Sequence, residues 1–540
     1  MLRRSFFVLL LVSAVSSAQT FPQPSYFQKF FVKPNRTIQI APPPTMEQFV
    51  VNGKLRLSLA DAIQLTLDNN TDIKLNQLQL DTAKFSLRRT YGPFDPVLTS
   101  TFSPSRSTSP TTSTLQGAST LSSLSQSFSS HYAQLFQSGT QYDVSWNANR
   151  NATNSSFATL NPSIASALSV SLAQNLLRNR GFFANRAPIL IAQRNLKQTR
   201  ANFETSVNDS ILLAVNQYWD VVQARESLKV TQDALDMAEA TYKQNKRALE
   251  LGALPPLDIY RSESQVAQRK LQLIQSQYSL RQLEDEFRRT IGADLDARLS
   301  VLDLELTESA APSGEMALVD VVAALQLALQ SRTELEALRQ QEANDDTNIQ
   351  LAHNNLQPDL SISSFYSMNG VGGNLISSAT GTPVVISSGG LGDALDQLGS
   401  RNFPGYGMTL SLRLPLRNRS AEADMGNALV NKRRSMYQLR QREQAIMLEV
   451  KHAVDQLEGA KLSVAAAKLA RDLSEKNLQA EQRKYELGAQ TIFFVLDAQT
   501  QLSGAEQSLL QAQISYQRAL SQVDRTTGQL LSKNHIQLAP

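Results

Sequence analysis

The sequence predicts a mainly α-helical protein with a β membrane portion, built on one helix–strand–helix plan used twice. Three observations lead there. First, the chain repeats itself. Residues 249–292 align without a gap on residues 485–528, placing Leu251-Gly252-Ala253 on Leu487-Gly488-Ala489 and Arg289-Thr290-Ile291-Gly292 on Arg525-Thr526-Thr527-Gly528. Residues 59–98 lie on 321–360 in the same way, with Pro96 on Pro358. Second, two long stretches carry apolar residues at alternating steps of four and three, the seam of a coiled coil. Third, short segments between the helical stretches alternate apolar and polar with a period of two, as strands do.

The elements follow in order. Residues 1–18 read as a secretory signal: Arg3 and Arg4 supply the charge, Phe6 to Val12 the short apolar run, and Ser16-Ser17-Ala18 the small residues for cleavage. Residues 19–56 form a proline-rich arm, with Pro22, Pro24, Pro34 and Pro42 to Pro44. The first repeat spans 57–312. Its first helix starts at Leu59, with Ser58 as cap and Asp61 three residues on, and runs to about Arg89. A β insert occupies 94–175. A long helix then covers about Pro188 to Glu250, with Val207, Ile211, Ala214, Tyr218, Val221 and Leu228 in its seam and Arg225 interrupting it. Gly252 stops this helix, and Pro255 and Pro256 suit the first turn of the closing helix, which ends near Thr290.

The second repeat spans 313–532. Asp320 takes the place of Ser58, and the first helix runs to about Asn354. A β insert occupies 358–416. The long helix covers about Ala421 to Glu486, with Val450, Ala453, Leu457, Ala460, Val464 and Ala467 in its seam. The closing helix ends near Thr526, and residues 533–540 form a tail. A helix of about 63 residues is roughly 95 Å long. The two shorter helices of a repeat sum to nearly that length, so they are expected to stack end to end beside the long one.

Within the inserts, strands are expected at Tyr142 to Asn149, Leu168 to Leu172, Leu360 to Tyr366 and Met408 to Leu414. The segment Thr99 to Ser130 is dominated by Ser and Thr, and Val371 to Gly399 by Gly and Ser. Both read as long exposed loops, the first with room for an extra hairpin. No segment after the signal reaches about 18 consecutive apolar residues. A membrane crossing must then be a closed β-barrel, because hydrocarbon offers an open strand edge no hydrogen-bond partner.

Composition excludes several functions. The net charge is only +4 over 540 residues, and no basic, aromatic-laced stretch marks a nucleic-acid surface. There is no cysteine, hence no disulfide and no lipid anchored on cysteine. His131, His353, His452 and His535 are scattered without metal-ligand spacing. No phosphate-binding loop or nucleophile motif is present, so neither catalysis nor a cofactor is expected.

The duplicated plan, the signal and the two Leu-Gly-Ala turns resemble the TolC family of outer-membrane efflux proteins, over roughly residues 57–532. The most specific piece is the run from Tyr485 through Gly488, Thr491, Val495-Leu496 and Asp497-Ala498, which looks like the family's periplasmic tip turn. The resemblance implies a homotrimer in the outer membrane with a long periplasmic portion. Each chain would give four strands to a shared twelve-stranded barrel embedded in lipid, and its helices to a shared α-barrel. It also implies a periplasmic adaptor and an inner-membrane transporter as partners. The competing reading is a periplasmic coiled-coil adaptor or rod without a pore, which leaves the alternating strands unexplained.

The resemblance also supplies site candidates. Phe494 stands where the family has an acid before Val-Leu, and Gln490 where it has a base. Asp497 and Asp258 match acidic tip positions. Asp497, Phe494, Asp258 and Tyr485 are therefore the gate candidates, and Leu251, Gly252, Ala253, Leu487, Gly488 and Ala489 the candidates for docking an adaptor. In a trimer Asp497 would form a carboxylate ring that attracts cations. The plain alternative is a solvated acid on a helix face. For Asp258 it is an acid favoured by the helix dipole, and for Tyr485 a packed aromatic.

Overall fold

A computed structural model describes residues 46–251, 256–296, 298–312, 316–377, 384–534 and 536. The expected signal, the arm up to residue 45, Gly252, Ala253 and most of the tail lie outside them. The first strands among the described residues are a short pair, β1 (Val50–Val51) and β2 (Lys54–Leu57), followed by α1 (Leu59–Asn69) and α2 (Thr71–Arg89). Four strands follow: β3 (Val97–Pro110), β4 (Thr120–Leu135), β5 (Thr140–Thr153) and β6 (Leu160–Asn175). Then come α3 (Gly181–Glu250), α4 (Pro256–Ile291) and β7 (Asp303–Leu306). The second half runs through α5 (Val321–Ser331), α6 (Thr333–Leu356), β8 (Asp359–Ser377), β9 (Val384–Ser387), α7 (Leu391–Ser400) and β10 (Phe403–Arg413). It closes with α8 (Arg419–Glu486), α9 (Ile492–Thr526) and α10 (Leu530–Lys533).

The seams are buried where the spacing places them: Val207, Ile211 and Tyr218 in α3, and Val450, Ala453 and Leu457 in α8. The Ser58–Asp61 capping box forms, with Asp61 N donating to Ser58 Oγ at 3.2 Å and Ser58 N to Asp61 Oδ2 at 3.0 Å. The largest apolar cluster gathers Leu55, Leu57, Ile63, Ile211, Tyr218, Phe287, Ile291 and Ile514 where the small sheet of β1, β2 and β7 meets α1, α3, α4 and α9. Burying a side chain of this size stabilises by about 1.5–3 kcal/mol. Arg225 interrupts the seam because its guanidinium donates to the Leu304 carbonyl of β7 and pairs with Glu284 at 3.5 Å.

Each expected first helix is two helices. Asn70 caps α2, donating from Nδ2 to the Thr290 carbonyl at the end of α4 at 3.1 Å. At the matching place Arg332 separates α5 from α6, and its Nη1 donates to the Thr526 carbonyl at the end of α9 at 3.2 Å. The carbonyls left open at the end of one short helix are thus satisfied from the start of the other. This is how α2 meets α4, and α6 meets α9, end to end.

The sheet departs further from expectation. Segment 99–130 is no loop. It forms most of the β3–β4 hairpin, in which small hydroxyl residues pair across the ladder, Thr101 with Ser129 at 2.6 Å and Ser107 with Ser123 at 2.8 Å. Segment 371–399 likewise continues β8 and holds β9 and most of α7, with residues 378–383 undescribed. Gly370 and Gly372 have no side chain to obstruct Gly390 and the start of α7, whose backbone occupies the space a Cβ would need. The long strands run in the order β10-β8-β6-β5-β4-β3, all antiparallel, with β9 beside β8. Six long strands stand where the resemblance implies four.

The two faces of this sheet differ. One row reads Leu98, Tyr132, Val144, Val170, Tyr366, Tyr406 across the six strands. The neighbouring row, on the other face, reads Thr99, His131, Ser145, Ser169, Ser367, Gly405. Among the described residues no helix is long and apolar enough to cross a membrane.

Candidate functional site at the helical tips

The long helices α3 and α8 both start at the sheet. At 70 and 68 residues, each reaches roughly 100 Å away from it. Their far ends turn into α4 and α9. Only the second turn is described throughout. Gly488 takes φ 70°, a left-handed conformation that favours glycine. Its N–H donates to the Tyr485 carbonyl at 2.9 Å, and Ala489 N to the Lys484 carbonyl at 2.9 Å. Leu487 is 81% exposed at this turn, and Leu251 is 84% exposed at the other. Among the described residues nothing covers either side chain.

Behind the turn, Ile492, Val495, Ala498 and Leu502 of α9 pack on Leu478 of α8, with Tyr485 against them. This uses one face of α9. Phe493, Phe494 and Asp497 remain exposed on the rest of the helix. The two phenyl rings meet edge to face, their centroids 5.5 Å apart. Asp497 Oδ2 accepts from Gln501 Nε2 at 2.7 Å. Asp497 and Phe494, three residues apart, therefore share an uncovered helix surface. The side chain of Asp258 lies outside the described residues.

Tyr485 does more than pack. Its hydroxyl donates to Asn245 Oδ1 on α3 at 3.0 Å, and Asn245 Nδ2 donates to Ser262 Oγ on α4 at 2.7 Å. Asn245 is fully buried, so both ends of its amide need partners. A second rung lies nearer the sheet, where Gln499 Nε2 donates to Thr241 Oγ1 at 3.1 Å. On the other side Arg269 Nη2 donates to Thr500 Oγ1 at 3.1 Å, and burial pulls the Arg269 pKa below its usual value. The two hairpins are thus tied by polar side chains near their tips. Sequence reading missed Asn245, Ser262 and Thr241. The available signal was a seam that continues through Leu235 and Ala238 and then turns polar at Thr241 and Asn245, positions where a polar residue fixes pairing rather than adding stability.

Residues 324–529 match the family described as outer membrane efflux protein. No curated protein matches the sequence significantly. Among solved structures, the outer membrane protein VceC of Vibrio cholerae is similar, at 14% identity and a TM-score of 0.60, over 87% of this chain and 96% of that one. The CmeC outer membrane channel of Campylobacter jejuni matches at 14% identity and a TM-score of 0.59, over 92% and 94%. The open-state MtrE outer membrane channel of Neisseria gonorrhoeae matches at 15% identity and a TM-score of 0.58, over 87% and 89%. Residues 324–529 carry the outer membrane efflux protein domain, and the chain as a whole has the fold of these outer membrane channels.

Proposed function

We propose that three copies of this chain form a channel-tunnel through the outer membrane. It takes substrates from a periplasmic adaptor and an inner-membrane transporter and releases them outside the cell. The observation that carries this reading is the sheet with one apolar and one Ser/Asn-rich face, joined to two hairpins whose turns lie roughly 100 Å away. The apolar face meets lipid and the polar face lines the lumen. The tips reach across the periplasm, where Leu251, Gly252, Ala253, Leu487, Gly488 and Ala489 dock the adaptor. Asp497 and Phe494 line the entrance and close it together, and Tyr485 holds the hairpins in the closed arrangement. A rod without a pore has no use for a two-faced sheet of six strands. The family is one of transport channels rather than enzymes.

Native mass measurement in detergent combined with single-channel recording tests the proposal. Three chains and a discrete conductance are expected. A non-conducting protein found wholly in the soluble periplasm would refute it.

A further inference from the structure

The sheet carries information on the size of the pore. The row Val97, Ala133, Asp143, Ser171, Phe365, Gly407 runs straight across the ladder. The helix-side ends of the strands do not follow that row. Starting level at Val97, they fall further below it strand by strand, at Leu135, Thr140, Asn175 and Asp359, and Arg413 lies level with Asp359. The offset reaches about six residues over five steps. With about 3.3 Å per residue and 4.8 Å between strands, this corresponds to a tilt of about 40°, the value of a closed barrel. The step from β3 to β4 runs in the same direction as those that follow and is no larger than the step from β6 to β8.

Packing agrees. The Phe128 and Trp146 rings meet edge to face across β4 and β5, 5.1 Å between centroids, and Tyr132 and Tyr142 at 6.2 Å. Aromatic packing on this face therefore continues from β5 into β4 of the first hairpin. The link from β4 to β5 is a tight turn on the helix side, where Phe136 N donates to the Thr140 carbonyl at 2.9 Å, so β3 and β4 stand within the ladder. Both β3 and β10 are sheet edges, and lipid tolerates no open edge. β10 runs toward the helices and β3 away from them, so a second copy of this chain can seat its β3 antiparallel on β10.

We infer that all six long strands belong to the membrane wall, so that three copies close an eighteen-stranded barrel through β3 of one copy on β10 of the next. The inference rests on the three-copy channel proposed above. Barrel width grows with strand number. At this tilt and spacing, eighteen strands give a backbone diameter of about 36 Å, against about 24 Å for twelve. A lumen of that width, lined by Ser, Thr and Asn, passes bulky hydrated solutes without selecting among them. Selection then falls to the helical tips.

The chain contains no cysteine, so introduced pairs report cleanly. One further step of the stagger places Thr99 opposite about Ser411 of the next copy. In the full chain, Thr99→Cys with Ser411→Cys, and the flanking registers with Thr409→Cys or Arg413→Cys, should give a covalent three-chain species on mild oxidation. If β5 instead forms the edge, Ser145→Cys with Thr409→Cys would link and the Thr99→Cys pairs would not. With three chains by native mass, that result overturns the six-strand wall and leaves the channel standing. A single-chain mass would sink the three-copy reading itself. Strand counting by electron microscopy of the unsubstituted protein provides the second measurement: eighteen strands support the inference and twelve refute it.

Discussion

The Tyr485 hydroxyl lies 3.0 Å from Asn245 Oδ1, joining the turn at the end of α8 to the last part of α3. It ties the second hairpin to the first at the end farthest from the sheet. Tyr485→Phe keeps the ring in its apolar cluster and removes only the donor. Asn245 retains its bond to Ser262, but its Oδ1 loses its donor, a change of about 1–3 kcal/mol for a buried group. The resting channel should conduct more in a planar bilayer, with the trimer intact. Unchanged conductance would mean that this bond does not hold the entrance.

Asp497 and Phe494 are expected to act differently although they share a surface. A ring of Asp497 carboxylates binds cations, so Asp497→Ala should weaken block by multivalent cations and leave trimer stability nearly unchanged. Phe494→Ala removes apolar contact and should raise resting conductance with cation block preserved. Intact block in Asp497→Ala would assign that residue to a solvated helix face.

The two faces of the sheet give opposite outcomes for one substitution type. Val170→Lys places a charge toward lipid and should cost about 2–4 kcal/mol near mid-membrane. Ser169→Lys, one residue away on the polar face, should cost much less. Denaturant unfolding from lipid vesicles reads the difference. Equal costs would contradict the assignment of the faces.

Arg332 anchors an ion cluster in the helical body. Its side chain is 2% exposed and lies 2.7 Å from Glu334 and 3.0 Å from Glu449, while Arg442 reaches Glu334 at 3.2 Å. Burial pushes the Glu334 carboxyl up, but the hydrogen bond and charge of Arg332, joined by Arg525, outweigh it and hold the pKa at about 2. A depressed folded-state pKa means that this stability is fully present above the ordinary value of 4.5 and is lost as pH falls through about 2. Glu334→Gln should therefore flatten the loss of stability between those values in an acid titration. Arg332→Ala, which leaves Glu334 without its main partner, should cost about 3–5 kcal/mol at neutral pH.

The helix joints should reject side chains. Gly292 and Gly528 have φ of 74° and 75°, and a Cβ would come within 2.6 Å of Asn69 Cβ or Ser331 Oγ. Gly292→Ala and Gly528→Ala should each lower stability by about 1–2 kcal/mol from backbone strain alone, measured by thermal unfolding. The loss should be greater at Gly292, where the obstacle is a Cβ rather than a movable hydroxyl.

By itself the sequence determined the order of elements, the long helices and the buried seams, because periodicity is a local property: Val207, Ile211 and Tyr218 lie on one side of any helix that contains them. It likewise marked the Leu-Gly-Ala turn, since Gly488 is suited to the left-handed residue that ends α8. It left room for an extra hairpin in the first insert but did not place the β3 and β4 strands, because a Ser/Thr-rich strand carries too weak an apolar signal in isolation. That segment becomes a strand when its hydroxyls pair across the ladder and Phe128 finds Trp146, and both partners are long-range. Nor did it reveal the break at Asn70 and Arg332, where helix propensity continues but the ends of α4 and α9 present carbonyls that need donors. The ties from Asn245 to Tyr485 and Ser262 were also decided by tertiary structure alone. Whether a polar residue in a seam is a defect or a tie depends on what stands opposite it, and that residue lies 240 positions away.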